Sequence, residues 1–331
     1  MSPDAKGVVN VGLVGAGAWG RRFIAAINDH PDVRLTAVAS RNPATPSLVD
    51  PACAVVGEWR ELVVMEGIDG VIVATPPSTH VEIASAALEA GRPTLIEKPL
   101  AMDVAEAEAL SLLSEKLVVP VLVDFIHLFN PAWPALKARL DDIGEVLHLN
   151  GVGGRIGPFR ADTPPLWDWA PHDLALALDL AGELPEVVSA RRTSAADTND
   201  GYGEVVDIRL DFPGGLRADL TVGNLLRERT RTVTVTGRDG SLFYDDIGEK
   251  AVALRRPARD DVSYPVAATP PLASAVCAFA DLTDGNADPF DTLRLGVETT
   301  RLIDAVAASL PVGTSRAKWT SVDFAKLTSG Y

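Results

Sequence analysis

Cysteine is scarce in this chain of 331 residues, which contains only Cys53 and Cys277. The two lie far apart, and no Cys-x-x-Cys pair occurs. A disulfide framework or a zinc cluster needs several closely spaced cysteines, so the sequence predicts neither. No group of Asp, His and Glu has metal-ligand spacing either, and we expect no bound metal.

Basic residues are outnumbered: 30 Lys and Arg stand against 45 Asp and Glu, which gives a net charge of −15. Nucleic-acid recognition requires a basic surface, so we expect no nucleic-acid partner. No apolar run reaches the roughly 18 residues of a membrane span, and residues 1–7 lack a signal-peptide pattern. We therefore expect a cytoplasmic protein without a membrane partner.

Short β-rich runs alternate with helical stretches over the first 125 residues. This alternation predicts βαβ units and a parallel sheet, hence an α/β domain over residues 1–125. The predicted strands are 8–14, 34–40, 54–57, 70–75, 94–97 and 120–124, and the predicted helices are 21–29, 80–90 and 104–115.

After about residue 144, strands follow one another without helices between most of them. This predicts an open, mainly antiparallel sheet in an α+β domain over residues 126–331. The predicted strands are 145–152, 186–193, 204–212, 215–222, 230–237 and 240–244, and helices are predicted at 168–180 and 291–309.

A glycine cluster follows the first predicted strand and precedes the first predicted helix. In this strand–turn–helix context, Gly-x-Gly-x-x-Gly is a dinucleotide fingerprint, whose helix N-terminus receives the phosphates. The predicted cofactor-binding residues here are Gly15, Ala16, Gly17, Ala18, Trp19 and Gly20.

Three more motifs accompany the glycine cluster: Ala74-Thr75-Pro76-Pro77 with His80, Glu97-Lys98-Pro99, and Asp168-Trp169-Ala170-Pro171-His172. Together they resemble the glucose–fructose oxidoreductase/inositol dehydrogenase (Gfo/Idh/MocA) family over nearly the whole chain. The resemblance implies a Rossmann domain with a doubly wound parallel sheet, followed by the open-sheet domain. It also implies NAD(P)-dependent oxidation of a secondary alcohol of a sugar, sugar derivative or cyclitol, or the reverse reduction.

Lys98 follows the fifth predicted strand, and Pro99 restricts it to extended geometry. Its side chain is therefore aimed off the carboxyl end of the sheet, where α/β sheets bind ligands. The resemblance makes Lys98 a catalytic residue that donates a hydrogen bond to the substrate oxygen. Glu97 is either its partner, near the cofactor, or an ordinary strand-end carboxylate.

Asp168 and His172 are spaced i,i+4, which places them on one helix face. In the family pattern they form a dyad in which His172 exchanges the alcohol proton and Asp168 orients it. The alternative is structural: Asp168 caps the helix N-terminus, with Pro171 in the first turn.

Ser40 and Arg41 lie at the end of the second predicted strand, where NAD enzymes place an acid; the next acid is Asp50. A hydroxyl and a guanidinium suit a 2′-phosphate, so we expect NADP, with NAD as the alternative.

Other site residues are expected around these groups. The loop after the fourth strand, Thr75, Pro76, Pro77 and His80, is expected near the cofactor. Asp124, His127 and Trp167 are candidate substrate contacts, with packing as the alternative for His127 and Trp167. The sequence leaves open the substrate, the direction of reaction and the roles of Arg155 and Arg160.

Two other functions occur on similar folds: a non-catalytic NAD(P)-sensing regulator and a redox-assisted glycosidase. An enzyme is favoured because a sensor has no need of Lys98, Asp168 and His172 together. The open sheet has one face to cover, so we expect a homodimer or homotetramer.

Overall fold

The structure is a computed structural model that describes residues 7–248, 251–310 and 319–328. The chain divides into two compact units. The first unit runs to Phe129 and includes Pro270–Val297; the second contains Asn130–Thr269 and the chain from Glu298.

The first unit is built mainly from the alternating elements that the sequence predicts. They are β1 (Val9–Val14), α1 (Ala18–Asn28), β2 (Val33–Ala39), β3 (Ala54–Val56), α2 (Trp59–Val63), β4 (Gly70–Val73), α3 (His80–Glu89), β5 (Thr94–Glu97), α4 (Val104–Leu117) and β6 (Val121–Asp124).

The strands of this unit form a six-stranded parallel sheet in the order β3-β2-β1-β4-β5-β6. Every residue of β4, β5 and β6 is buried, as expected for a parallel sheet covered on both faces. The strand order reverses between β1 and β4, and doubly wound sheets bind ligands beyond the carboxyl ends of the strands at such a point. The α/β prediction is confirmed.

The rest of the chain adds a sheet and five α-helices among the described residues. They are α5 (Ala132–Lys137), β7 (Val146–Ile156), α6 (Pro165–Ala181), β8 (Val187–Thr198), β9 (Gly201–Asp211), β10 (Arg217–Gly223), β11 (Leu225–Gly237), β12 (Ser241–Asp245), β13 (Ala251–Arg255), β14 (Val262–Pro265), α7 (Pro271–Thr283), α8 (Thr292–Ser309), β15 (Thr320–Asp323) and α9 (Phe324–Thr328).

Nine strands of the second unit form one mixed sheet in the order β14-β13-β12-β11-β7-β10-β9-β8-β15. The β7–β10 pair is parallel and the other pairs are antiparallel, so the prediction of a mainly antiparallel sheet is confirmed. Helix α6 packs against β7, β9 and β10.

Segment 270–297 lies in the first unit, although the sequence-based division assigned all of 126–331 to the second domain. The reason is the apolar face of α7. Phe279 on this helix is fully buried, and its ring lies so close to Gly70 on β4 that a Cβ there would be 2.8 Å from it. Because burying an aromatic ring contributes about 2–3 kcal/mol, this contact fixes the segment to the first sheet.

The sequence missed the end strands β13, β14 and β15 and the helices α2, α5, α7 and α9. Strand β14 illustrates the reason, since it is only four residues long, its side chains are mainly exposed and it ends at Pro265. Among the described residues, no helix is long and apolar enough to cross a membrane.

Candidate active site

The glycine turn between β1 and α1 has the geometry that a dinucleotide requires. Gly15 has a φ of 99°, and a Cβ there would lie 2.6 Å from the Ala74 carbonyl oxygen. Gly17 is the N-cap of α1 without a side-chain cap, and a Cβ on it would meet nothing within 4 Å. The first-turn N–H groups of α1 are thus open to close approach by a phosphate group. The turn therefore fits a bound pyrophosphate.

The other residues of the motif pack around this turn. Gly20 lies against the Gly15 carbonyl, where a Cβ would be 1.9 Å from the oxygen. Ala16 is buried, Ala18 begins α1, and the Trp19 ring lies 4.4 Å from the Arg22 guanidinium carbon.

Arg41 follows β2 and is largely exposed, and its Nη2 lies 3.4 Å from Glu58 Oε1. The sequence did not identify Glu58 as a site residue. Strand β3 runs parallel beside β2, with Val56 opposite Ala39, so Glu58 arrives beside Arg41 although it is distant in sequence. The Ser40 Oγ accepts hydrogen bonds from the Asn42 N–H at 3.1 Å and from Thr45 Oγ1 at 2.8 Å, which shape the local turn.

His80 joins the loops that follow β4 and β5. It is fully buried at the start of α3; its Nδ1 lies 2.8 Å from the Pro99 carbonyl oxygen, and its Nε2 lies 2.9 Å from the Thr75 carbonyl oxygen. Pro77 begins the short 3₁₀ helix Pro77–Thr79, and Pro76 caps it. Through these contacts His80 links the loop after β4 to the backbone immediately after Lys98.

Lys98 is only 8% exposed, and Glu97 before it is also buried. Asp124 lies opposite Glu97 in the β5–β6 register and is 1% exposed. Burial raises the pKa of the Asp124 carboxyl to about 7, while the charge of Lys98 acts in the opposite direction. The structure thus brings together Lys98, Glu97 and Asp124 at the carboxyl edge of the first sheet. His127 is half-buried in the turn after β6.

Asp168 is not the N-cap of α6, so the structural alternative for it was wrong. The helix begins at Pro165, with Pro164 as its N-cap, because proline is favoured at the first helical position. Asp168 instead lies in the first turn, where its Oδ1 accepts a hydrogen bond from Arg160 Nη1 at 3.2 Å. Pro171 consequently lies inside the helix rather than in its first turn.

His172 lies one turn after Asp168 on α6 and is 6% exposed. The sequence left the role of Arg160 open. In the structure, Arg160 is the charged partner of Asp168, and its Nε also lies 3.7 Å from Asp162 Oδ1. Arg155 is exposed at the end of β7. Trp167 is buried within the second unit.

A buried ion pair next to His172 was missed by the sequence analysis. Asp173 on α6 contacts Arg231 on β11, and both side chains are buried. Burial raises the pKa of Asp173, and the Arg231 charge opposes this shift. Gly153 on β7 makes room for the pair, since a Cβ on it would lie 2.4 Å from Arg231 Nη1. The closely spaced glycines of β7, which leave room for large side chains, were the sequence feature that could have indicated this pair.

Two family models match the chain. The oxidoreductase family with an NAD-binding Rossmann fold matches residues 9–125, and the GFO/IDH/MocA C-terminal domain matches residues 136–243.

Individual relatives agree with this assignment. The inositol 2-dehydrogenase of Rhizobium meliloti (strain 1021) is 29% identical over 60% of this chain and 62% of its own length. The myo-inositol dehydrogenase Hyg17 of Streptomyces leeuwenhoekii is 32% identical over 55% of this chain and 58% of its own length. The matches therefore span about three fifths of these relatives.

A solved structure covers more of the chain. It is the crystal structure of a protein from Magnetospirillum magnetotacticum MS-1, described as an oxidoreductase, which superposes on this chain with a TM-score of 0.84 and is 36% identical to it. The match covers 90% of this chain and 99% of that one.

Proposed function

The chain belongs to the GFO/IDH/MocA oxidoreductase family, and on that premise we propose that it transfers a hydride between a nicotinamide dinucleotide and a secondary alcohol or ketone of a sugar, sugar derivative or cyclitol. The observation that carries the proposal is the buried Lys98 on the same sheet edge as the open glycine turn. The names of the inositol dehydrogenase relatives support the substrate class.

The glycine turn and the N-terminus of α1 would hold the cofactor pyrophosphate. When bound, the nicotinamide supplies the hydride acceptor or donor. The chain supplies binding, orientation and charge.

Lys98 is proposed to donate a hydrogen bond from its ammonium group to the substrate oxygen. This stabilises the negative charge that develops on the oxygen while the C–H bond is broken or formed. Because Lys98 is almost completely buried, water competes little for the ammonium group, and the interaction is stronger than it would be in solvent.

His172 is proposed to exchange the alcohol proton, as a general base during oxidation and a general acid during reduction. Asp168 is proposed to orient its imidazole from the preceding turn of α6. The hydrogen bond from Arg160 supports this role because it limits the rotamers that Asp168 can adopt.

NADP is proposed as the preferred cofactor, and NAD as a second cofactor of lower affinity. Arg41 supports NADP because a guanidinium pairs with a 2′-phosphate. Glu58 supports residual NAD binding because a carboxylate can accept hydrogen bonds from ribose hydroxyls. The exposed Arg41–Glu58 pair stabilises the free protein by at most about 1 kcal/mol, so either group can turn to a ligand.

A homodimer or homotetramer is proposed through the face of the nine-stranded sheet that α6 does not cover. This face carries polar and charged side chains: Asp219 accepts hydrogen bonds from Arg209 at 2.7 Å and lies 2.8 Å from His148 Nε2. The cytoplasmic location remains a proposal that rests on the sequence pattern alone.

The test is turnover of a panel of cyclitols, sugar alcohols and keto-sugars, followed by nicotinamide absorbance with NAD, NADP and their reduced forms. Lys98→Met is the matched variant, because it removes the ammonium and keeps most of the side-chain volume. Reduced nucleotide formed by the wild type but not by the variant supports the proposal. A sensor would bind nucleotide without turnover, and a redox-assisted glycosidase would cleave glycosides without added nucleotide.

A further inference from the structure

The Asp124 carboxyl group lies next to the strand that carries Lys98. Asp124 is the last residue of β6, and it pairs in parallel register with Glu97, the residue before Lys98. The main chain of β6 is fixed on its other side, where the Val123 N–H donates to Thr292 Oγ1 at 2.8 Å. The position of Asp124 relative to the base of the Lys98 side chain is thus set by two rigid contacts.

The Asp124 carboxyl is buried without the hydrogen bonds that such groups normally have. Neither of its oxygens has a hydrogen-bond partner among the residues that the structure describes. An isolated buried carboxylate is costly, so the protonated form is favoured, and burial raises the pKa of Asp124 to about 7. A group that titrates near neutral pH next to a reacting residue is a candidate for a functional role.

Several ionisable groups lie on the segments around Asp124. Glu97 ends β5 and Lys98 follows it, His127 follows β6, His80 contacts the Pro99 carbonyl, and Asp288 accepts the hydroxyl hydrogen bond of Thr292. Among these groups, Lys98 is the one whose charge acts on the Asp124 carboxyl. The attraction is reciprocal, so the ionised carboxylate must also act on the ammonium group.

We propose that Asp124 is a positioning residue for Lys98, and that its carboxylate form holds the ammonium group directed to the substrate oxygen. Protonation of Asp124 removes this attraction and leaves Lys98 less well oriented. The inference rests on the proposed function of Lys98 in hydride transfer. In this inference, Asp124 acts through Lys98 and does not contact the substrate directly.

The charge coupling is tested by carbon-13 NMR of protein labelled at the aspartate carboxyl carbons, titrated from pH 4 to 10. The Asp124 signal is identified by its loss in Asp124→Asn or, if that variant does not fold, in Asp124→Leu. We expect a midpoint near 7 in the wild type, and a midpoint at least one unit higher in Lys98→Met, where no cation favours the carboxylate. Lys116→Met, which removes an exposed lysine on α4, should leave the midpoint unchanged. Equal midpoints in the wild type and Lys98→Met would overturn the inference.

The positioning role is tested by the pH dependence of kcat for alcohol oxidation. In the wild type, kcat should show a step to a higher level near pH 7, where Asp124 loses its proton, in addition to the ionisation of the general base. In Asp124→Asn this step should be absent and kcat should stay at the lower level, with KM changed less than about threefold. A uniform loss of kcat in the variant with the step near pH 7 retained would show a structural role only. The NMR titration needs no turnover, so an inactive wild type would refute the proposed function while the coupling is decided separately.

Discussion

The Arg41 guanidinium lies 3.4 Å from the Glu58 carboxylate, at the ends of two adjacent parallel strands. This relationship places groups suited to NADP and to NAD side by side. NAD-binding proteins place an acid after the second strand. Here Arg41 follows the second strand, and the acid Glu58 follows the third. Cofactor preference should therefore depend on both residues.

Arg41→Ala should abolish the preference for NADP, because a charge-assisted contact with the 2′-phosphate contributes about 1.5–3 kcal/mol. Glu58→Gln should act in the other direction and tighten NADP binding about two- to fivefold, since a nearby negative charge is removed. Calorimetric Kd values for both nucleotides decide the matter. Equal wild-type affinities, or no effect of either substitution, would refute this assignment.

The stability of the first unit should depend on the protonation of Asp124. Its pKa rises on folding from 3.8 to about 7, so between these values the folded protein retains a proton that the unfolded chain has lost. The contribution of this group to stability is therefore present at low pH and is lost as pH rises, by about 1.4 kcal/mol per pH unit across that window.

An asparagine side chain does not ionise, so Asp124→Asn should remove this pH dependence of stability. Denaturant unfolding at pH 4.5 and pH 8 provides the measurement. The variant should gain stability relative to the wild type at pH 8 but not at pH 4.5. A constant difference between the two proteins at both pH values would mean that Asp124 does not titrate as described.

Much of the fold follows from local sequence patterns. The βαβ alternation, the glycine turn and the Glu-Lys-Pro motif are contiguous, and each carries its own structural requirement. The N-cap assignment of Asp168 failed although Pro164-Pro165 offered a stronger helix start three residues earlier. Glu58 and Asp173 were not predictable as partners of Arg41 and Arg231, because these pairs form only through strand pairing and helix–sheet packing.

Asp168→Asn should reduce kcat less than His172→Ala does, because it removes an orienting charge and not the proton carrier. It should also move the acid limb of the kcat profile to lower pH, since a neutral amide no longer favours the imidazolium. The double variant should be little worse than His172→Ala, as residues that act together are not additive. Fully additive losses would show that the two residues act independently.

The open face of the nine-stranded sheet should mediate self-association. Light scattering at micromolar concentration should give the mass of a dimer or tetramer. In the wild type, Arg209 Nε lies 2.7 Å from Asp219 Oδ1. Arg209→Glu would replace this ion pair with two like charges and should lower the mass measured by light scattering. A monomeric wild type would contradict the proposed assembly.

The central claim is that this chain catalyses hydride transfer with a sugar or cyclitol alcohol, with Lys98 and His172 as catalytic residues. The most direct measurement is kcat and nucleotide Kd on the same folded preparations of the wild type, Lys98→Ala and His172→Ala. We predict that the wild type reduces the nucleotide with at least one polyol, and that His172→Ala loses about 10²–10⁴-fold in kcat. Lys98→Ala should lose at least as much, with nucleotide Kd nearly unchanged in both variants. Absence of turnover with every polyol and keto-sugar, or near-normal kcat in both variants, would contradict the claim.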